Sequence, residues 1–398
     1  VAEPITPALE VVVDDPSGGV LAWAAGGLAG ELVAPEGATR FVVPAPANER
    51  VALAWRGATT CAVEVVAGFE PEGLGARSVD ALVPSAAAPV ALWLTTQRLP
   101  DPITLLVDRQ GRVWWSWRLE QGVAALDAVE VPGGVLLDAR ADDFDVDASE
   151  LRELSWSGAT RRIVPTPNGH HGFVRAADGS VAGLAAQVRD VDVLEEGGVV
   201  PVVGDALVWW ADAPEAVTDT FAWWEVAPGN NWEKPFYEQG FDWTHGSGLG
   251  VGPGGGFVYT SVGLDAAVVV GGDGDRVVTV GGPDGVGALS RPHAPTWTED
   301  DTLLLFNYDV ALGGHALELS VDDGAVEEIW QYGRGLGRHT ASLGQAVRLR
   351  GGTTLVVWST AGVAEEVTPE GEVVWSIAFD GTFVGHLAPV PVVPVGVW

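Results

Sequence analysis

The stretch Pro292-His-Ala-Pro-Thr-Trp-Thr-Glu-Asp-Asp-Thr-Leu-Leu-Leu-Phe-Asn307 decides how the chain is read. A His opens a short run, an acidic turn follows, and the apolar run Leu303 to Phe306 leaves that turn. Short β-branched or aromatic runs bounded by Gly, Asp or Pro read as strands joined by tight turns. The same programme restarts at regular intervals: His245, His293, His339 and His386 stand 48, 46 and 47 residues apart. Each interval continues with further strands and turns such as Asp322-Asp-Gly324 and Pro369-Glu-Gly371, and a closing strand such as Val373-Val-Trp375. Four strands per repeat of about 40–50 residues is the unit of a β-propeller blade.

Reading outward, Gln110-Gly-Arg-Val-Trp-Trp115 matches the turn and closing strand of an earlier blade. Segments 122–163 and 168–210 read as two more. The stretch from His386 to Trp398 begins a blade that the segment around 100–118 would complete, closing a ring. The expectation is an all-β chain: a six-bladed propeller over 98–398, closed by its C-terminal strand, behind an N-terminal β-sandwich over 1–97. The boundary falls at the Pro-rich Leu99-Pro-Asp-Pro102. No stretch places apolar residues at i, i+3, i+4 and i+7, and 53 Gly with 26 Pro leave little room for helices.

Acidic residues outnumber basic ones 54 to 21, a net charge of −33, which repels phosphate backbones and anionic lipid heads. Nucleic acid and membrane are therefore not expected partners. Met is absent, the chain opens at Val1, and the single Cys61 has no disulfide partner. A processed, exported protein in an extracellular or periplasmic setting is expected. No cofactor is called for, although Asp142-Asp-Phe-Asp-Val-Asp147 and Asp273-Gly-Asp275 carry the oxygen ligands that Ca²⁺ takes. Neither has the spacing of the twelve-residue helix-flanked loop, and solvated turns are the favoured reading of both.

Equivalent residues of successive repeats should gather at one place, so the His residues are candidates for a base, a nucleophile or a metal site. Several segments here resemble motifs of the bacterial arylsulfotransferases: Asp242-Trp-Thr-His245, the 292–307 stretch, Val326-Glu-Glu-Ile-Trp-Gln-Tyr-Gly333, Gly352 to Trp375, and Gly169-His-His-Gly172. The resemblance covers roughly 100–398. It implies sulfuryl transfer from an aryl sulfate to a phenol through a sulfo-histidine. By position His293 is the nucleophile, and His245 with His170 or His171 supports it. Two positions depart from the family pattern: Ser247 replaces an Asn and Val262 an Arg. Arg291 and Arg338, beside His293 and His339, are candidate anion-binding residues in place of that Arg. An insertion over 211–241 carries Trp223, Trp224, Trp232, Phe236 and Tyr237, suited to cover an aryl ligand or to pack on its own strands. The alternative is a catalytically silent scaffold, an extracellular ligand-binding or self-assembling subunit. Its apolar tail Val390 to Trp398 would add a strand to its own ring or to a neighbouring copy, building a filament.

Overall fold

The computed structural model describes residues 9–391, leaving out 44–49, 67–76, 84–89, 97–101, 142–148, 228–238 and shorter gaps of up to three residues. Strands dominate, as the short β-branched runs require, and the α-helix Thr220–Trp223 is a single turn. Hairpin turns repeat one device, a tight turn followed by a residue in the left-handed region. At Asp108–Arg112 the Gly111 N–H donates to the Asp108 carbonyl at 2.9 Å with Gly111 at φ 75. Thr298–Thr302 repeats it with Asp301 at φ 57.

The strands pair into eight separate sheets among the described residues. Leu9–Asp15 pairs with Gly37–Val43. Gly19–Ala25 lies between Leu28–Ala34 and Arg50–Gly57, with Thr60–Val66 outside, and buries Leu21, Trp23 and Trp55. The six remaining sheets have four or five strands. The first runs Val113–Arg118, Ile103–Val107, Val90–Thr96, Val384–Pro391. The next four occupy 123–165, 169–219, 246–281 and 293–332 in chain order, and the last joins Gln345–Arg348, Thr354–Trp358, Val363–Val367 and Val373–Phe379 to Arg77–Asp80.

This corrects the expected architecture. Every sheet is open, with two edges, and no ladder of hydrogen bonds passes from one sheet to the next to close a barrel or ring. The six-bladed propeller with a separate β-sandwich is replaced by a set of open sheets, antiparallel except where Phe241–Asp242 pairs in parallel with Val202 and Val203. Pairing also crosses residue 97. Val90–Thr96 bonds to Ile103–Val107 on one side and Val384–Pro391 on the other, and Arg77–Asp80 edges the Val373–Phe379 strand. Of the boundary expected near 97–102 only Pro102 is described, and of the tail Val390–Trp398 only Val390 and Pro391, which pair with Ala91 and Val90; the Cys61 side chain lies outside the described residues.

Apolar clusters fill the spaces between sheets. Leu207, Trp243, Tyr259 and Val268 join the 169–219 sheet to the 246–281 sheet. Leu305 and Leu317 pack on Val258 and Val280 one sheet earlier. Leu94 and Leu105 of the first sheet meet Leu355, Trp375 and Ile377 of the last. Face-to-face packing of this kind fixes where each sheet's edge strand stands, and the edge strands carry the site.

Candidate functional site

Six sheets each present an edge strand at or near a polar side chain. Gly169–Arg175 contains His170 and His171, Gly246–Val251 follows His245, and His293–Trp297 starts with His293. Gln345–Arg348 starts with Gln345, Val384–Pro391 contains His386, and Ala128–Val131 follows Asp127. In four of these strands the register slips beside the His: between His170 and Phe173, Gly246 and Gly248, His293 and Thr296, and Val384 and Leu387. A bulge takes one residue out of the pleat and re-aims its side chain. Left-handed backbone gathers at the same places: His171 φ 50, His245 φ 44, Arg291 φ 44 and Ala294 φ 45. Each such non-Gly residue costs on the order of 1–3 kcal/mol, a cost that clusters at functional sites.

The rings are close. The His170 and His171 Nδ1 atoms are 2.8 Å apart, and the His171 and His245 ring centroids 5.0 Å apart. His170 Nε2 faces Asp205 Oδ1 at 2.9 Å, with both side chains buried. His245 Nδ1 lies 2.5 Å from Asp242 Oδ2, and His386 Nδ1 2.8 Å from Asp127 Oδ1. His293 Nδ1 is 3.0 Å from the Arg291 carbonyl, an acceptor only. Carboxylates and carbonyls require a donor opposite them, so Nδ1 carries the proton in neutral His245, His293 and His386 and the lone pair sits on Nε2.

Asp205 anchors the buried side of the group. Burial by itself raises its carboxyl, but donation from His170, Thr244 and Tyr259 outweighs this and holds it below the usual carboxylate range. The Tyr259 hydroxyl, 2.6 Å away, is pushed well above the ordinary phenol value, by burial first and then by Asp205, so it remains a donor. His293 is lowered to about 3, chiefly by burial, with His245, His386 and Arg291 adding to the effect against the bond to the Arg291 carbonyl. It is therefore neutral at physiological pH.

A cavity of about 280 Å³ is lined by His171, Asp127, Gln345 and His386, with walls from Gly248–Val251 and Ala294–Trp297. Two glycines make these approaches possible. A Cβ on Gly248 would come within 2.7 Å of the Ala294 nitrogen, and one on Gly172, at φ 80, within 1.8 Å of Asp127 Oδ2. Gly172→Ala is accordingly expected to displace Asp127 from His386 and cost about 1–3 kcal/mol. The downfield His386 Nδ1–H proton resonance should disappear, and its persistence would show that Asp127 had not moved.

Of the residues singled out by sequence, His170, His171, His245 and His293 come together, and the Arg291 charge is felt at His293. His339 is exposed, and Arg338 is ion-paired with Glu365 while lying 4.6 Å over the Trp358 ring. Trp223 packs 5.6 Å from Tyr259, and Trp224 donates to Asp284 at 2.8 Å, so both rings serve the core beside the site. Trp232, Phe236, Tyr237 and the acidic run 142–147 lie outside the described residues. Asp273 Oδ1 accepts the Asp275 N–H inside its own turn. Among the described residues no three His, Cys, Asp or Glu side chains are arranged to hold a metal. Sequence reasoning missed Asp127, Asp205 and Gln345. Asp127 and Gln345 occupy the places that His fills in other sheets, a signal of position rather than of residue type.

No family model matches this chain. No curated protein matches it either. Among solved structures, a protein of unknown function from Bacteroides caccae is 12% identical, with 76% of this chain and 99% of that one covered and a TM-score of 0.48. A virginiamycin B lyase from Staphylococcus aureus is 10% identical over 79% of this chain and 88% of its own, with a TM-score of 0.36. A protein from Lactobacillus plantarum is 12% identical over 74% and 82%, with a TM-score of 0.41. With neither a family model nor a curated protein matching, the arylsulfotransferase resemblance is withdrawn together with the sulfo-histidine and the aryl sulfate chemistry it implied. The motifs behind it are short and made of turn and strand residues that any run of four-stranded sheets reuses. The two departures agree with this. Val262 is buried with no donor to offer, and Ser247 donates to the Pro292 carbonyl at 2.5 Å, locked in structure.

Proposed function

We propose that the imidazole group around His245, His293 and His386 is a proton-transfer site for a small organic anion. The observation that supports this reading is the Asp–His pair made through Nδ1 at two places, Asp242–His245 and Asp127–His386. A carboxylate on Nδ1 fixes the tautomer, raises the basicity of Nε2 and stabilises the imidazolium that forms when Nε2 takes a proton. His245 is assigned the removal of a proton and His386, on the Val384–Pro391 edge strand, its return. Neutral His293 offers an acceptor at Nε2 that does not compete for that proton. Arg291 supplies the positive charge. Its guanidinium lies 5.8 Å from the Tyr308 ring and has no carboxylate partner among the described residues, unusual in a chain of charge −33. A small carboxylate or hydroxy acid fits that charge. The near absence of oxidisable Met and Cys supports an extracellular setting.

The test is proton exchange in D₂O, followed by NMR over a panel of uronates and α-hydroxy carboxylates. Deuterium should enter at the carbon next to the carboxylate. His245→Ala should slow exchange by about 10²–10⁴-fold, and Asp242→Asn by a comparable factor. Exchange at the wild-type rate in His245→Ala, or no exchange with any member of the panel, would overturn the reading.

A further inference from the structure

A second cavity, of about 440 Å³, opens between the 123–165 sheet and the 169–219 sheet. Its floor is apolar: Leu136, Leu151, Val164 and Trp210 are all buried. Its rim is basic, carrying Arg162 and Arg175. Several other surface arginines are held by carboxylates, as in Arg189–Asp219 and Arg276–Asp284. Arg162 and Arg175 have no such partner among the described residues. The one carboxylate in the lining, Glu153, is directed to Arg161 at 3.8 Å. A second, independent feature is Trp210. Its side chain is 7% exposed, and its indole N–H has no acceptor among the described residues. A buried donor left without an acceptor is costly, and Trp210 shares this state with Trp23, Trp223 and Trp243; what sets it apart is its place in the lining of a cavity with a basic rim.

We infer that this cavity binds an amphipathic organic anion, an aromatic or branched apolar body bearing a carboxylate or sulfonate. The volume lies within the roughly 300–1,000 Å³ of small-molecule sites. The body replaces water over Leu136, Leu151 and Val164, the guanidinium groups of Arg162 and Arg175 take the charge, and the Trp210 N–H finds its acceptor. Phosphate alone would leave the apolar floor wet. An uncharged hydrocarbon would leave both arginines and the indole N–H unanswered. The site is distinct from the imidazole group and does not depend on its chemistry.

The probe is 1-anilinonaphthalene-8-sulfonate, an aromatic sulfonate whose fluorescence rises on leaving water, titrated into the full chain. One saturable site is expected. Arg162→Gln and Arg175→Gln should each weaken it roughly tenfold, the worth of a charge-assisted hydrogen bond. Trp210→Phe, which keeps the apolar ring and removes the N–H, should weaken it several-fold while the His245→Ala chain binds as the parent does. The uncharged analogue N-phenyl-1-naphthylamine should bind more weakly than the sulfonate. Equal affinity of the parent and both arginine variants would overturn the assignment, as would the absence of saturable binding or equal affinity for the uncharged analogue. Arg162 and Arg175 are exposed, so a folded variant is expected, and an unchanged near-ultraviolet circular dichroism spectrum checks it.

Discussion

Glu366→Gln is expected to lower the unfolding free energy by about 3–5 kcal/mol, because it leaves a buried guanidinium without its counter-ion. Arg109, in the hairpin turn of the first sheet, reaches Glu366 of the last sheet at 2.6 Å, and their side chains are 11% and 0% exposed. Burial pulls the Arg109 guanidinium below its ordinary value, and Glu366 pulls it back. The same guanidinium lies 4.4 Å over the Trp375 ring, and the Trp375 indole N–H donates to the Arg109 carbonyl at 2.7 Å. Thr353 closes the set by donating to Glu366. With no backbone ladder between these two sheets, this polar joint and the apolar cluster around Leu94 and Ile377 carry their alignment. Replacing both charges, Arg109→Met with Glu366→Leu, should recover most of the loss, since an apolar pair avoids the desolvation penalty. Urea unfolding of the three chains measures this. A loss under about 1 kcal/mol in Glu366→Gln would mean that the joint does not hold the sheets.

The second large effect is a dependence on pH. In the folded chain His293 titrates at about 3, against 6.5 when unfolded. The unfolded chain therefore binds this proton first. Above pH 6.5 both states are neutral here and the group is indifferent. As pH falls from 6.5 towards 3 the unfolded state gains, and stability is lost at about 1.4 kcal/mol per pH unit. His315, also lowered by burial, acts in the same direction. Relief of the repulsion within a chain of charge −33 opposes both, so the informative quantity is a difference between chains. His293→Gln has no proton to gain. The advantage of the parent over this variant should be constant from pH 8 to pH 7 and then shrink by about 1.4 kcal/mol per unit down to pH 5. A difference unchanged between pH 8 and pH 5 would mean that His293 is not buried as described.

The strands and the meeting of the His residues were legible because both are periodic. Residues such as Leu303 to Phe306 need two buried faces, and His170, His245, His293 and His386 fall on or beside the edge strands of four sheets. Spacing misled at His339. The segment Gly333-Arg-Gly-Leu-Gly337 lengthens the lead into the next sheet, so Gln345 rather than His339 begins that edge strand. Closure was not legible at all. The count of repeats suggested a ring, but a count says nothing about whether hydrogen bonds pass between sheets. The Asp partners were hidden for a different reason. Asp127 and His386 are 259 residues apart, and no local pattern announces a contact at that separation. Asp242, three residues before His245, stood inside a quoted motif, yet its part in orienting the ring emerges only from the 2.5 Å contact.

The pairing of Val384–Pro391 with Val90–Thr96 has a consequence for how the molecule is made. A nascent chain that has emerged as far as residue 383 already holds Asp127, His171, His245 and His293, but the first sheet lacks its edge and Asp127 its imidazole. The last strand supplies both at once. If the proposed proton transfer holds, a product truncated before residue 384 is expected to lack the returning imidazole together with one edge strand of its first sheet.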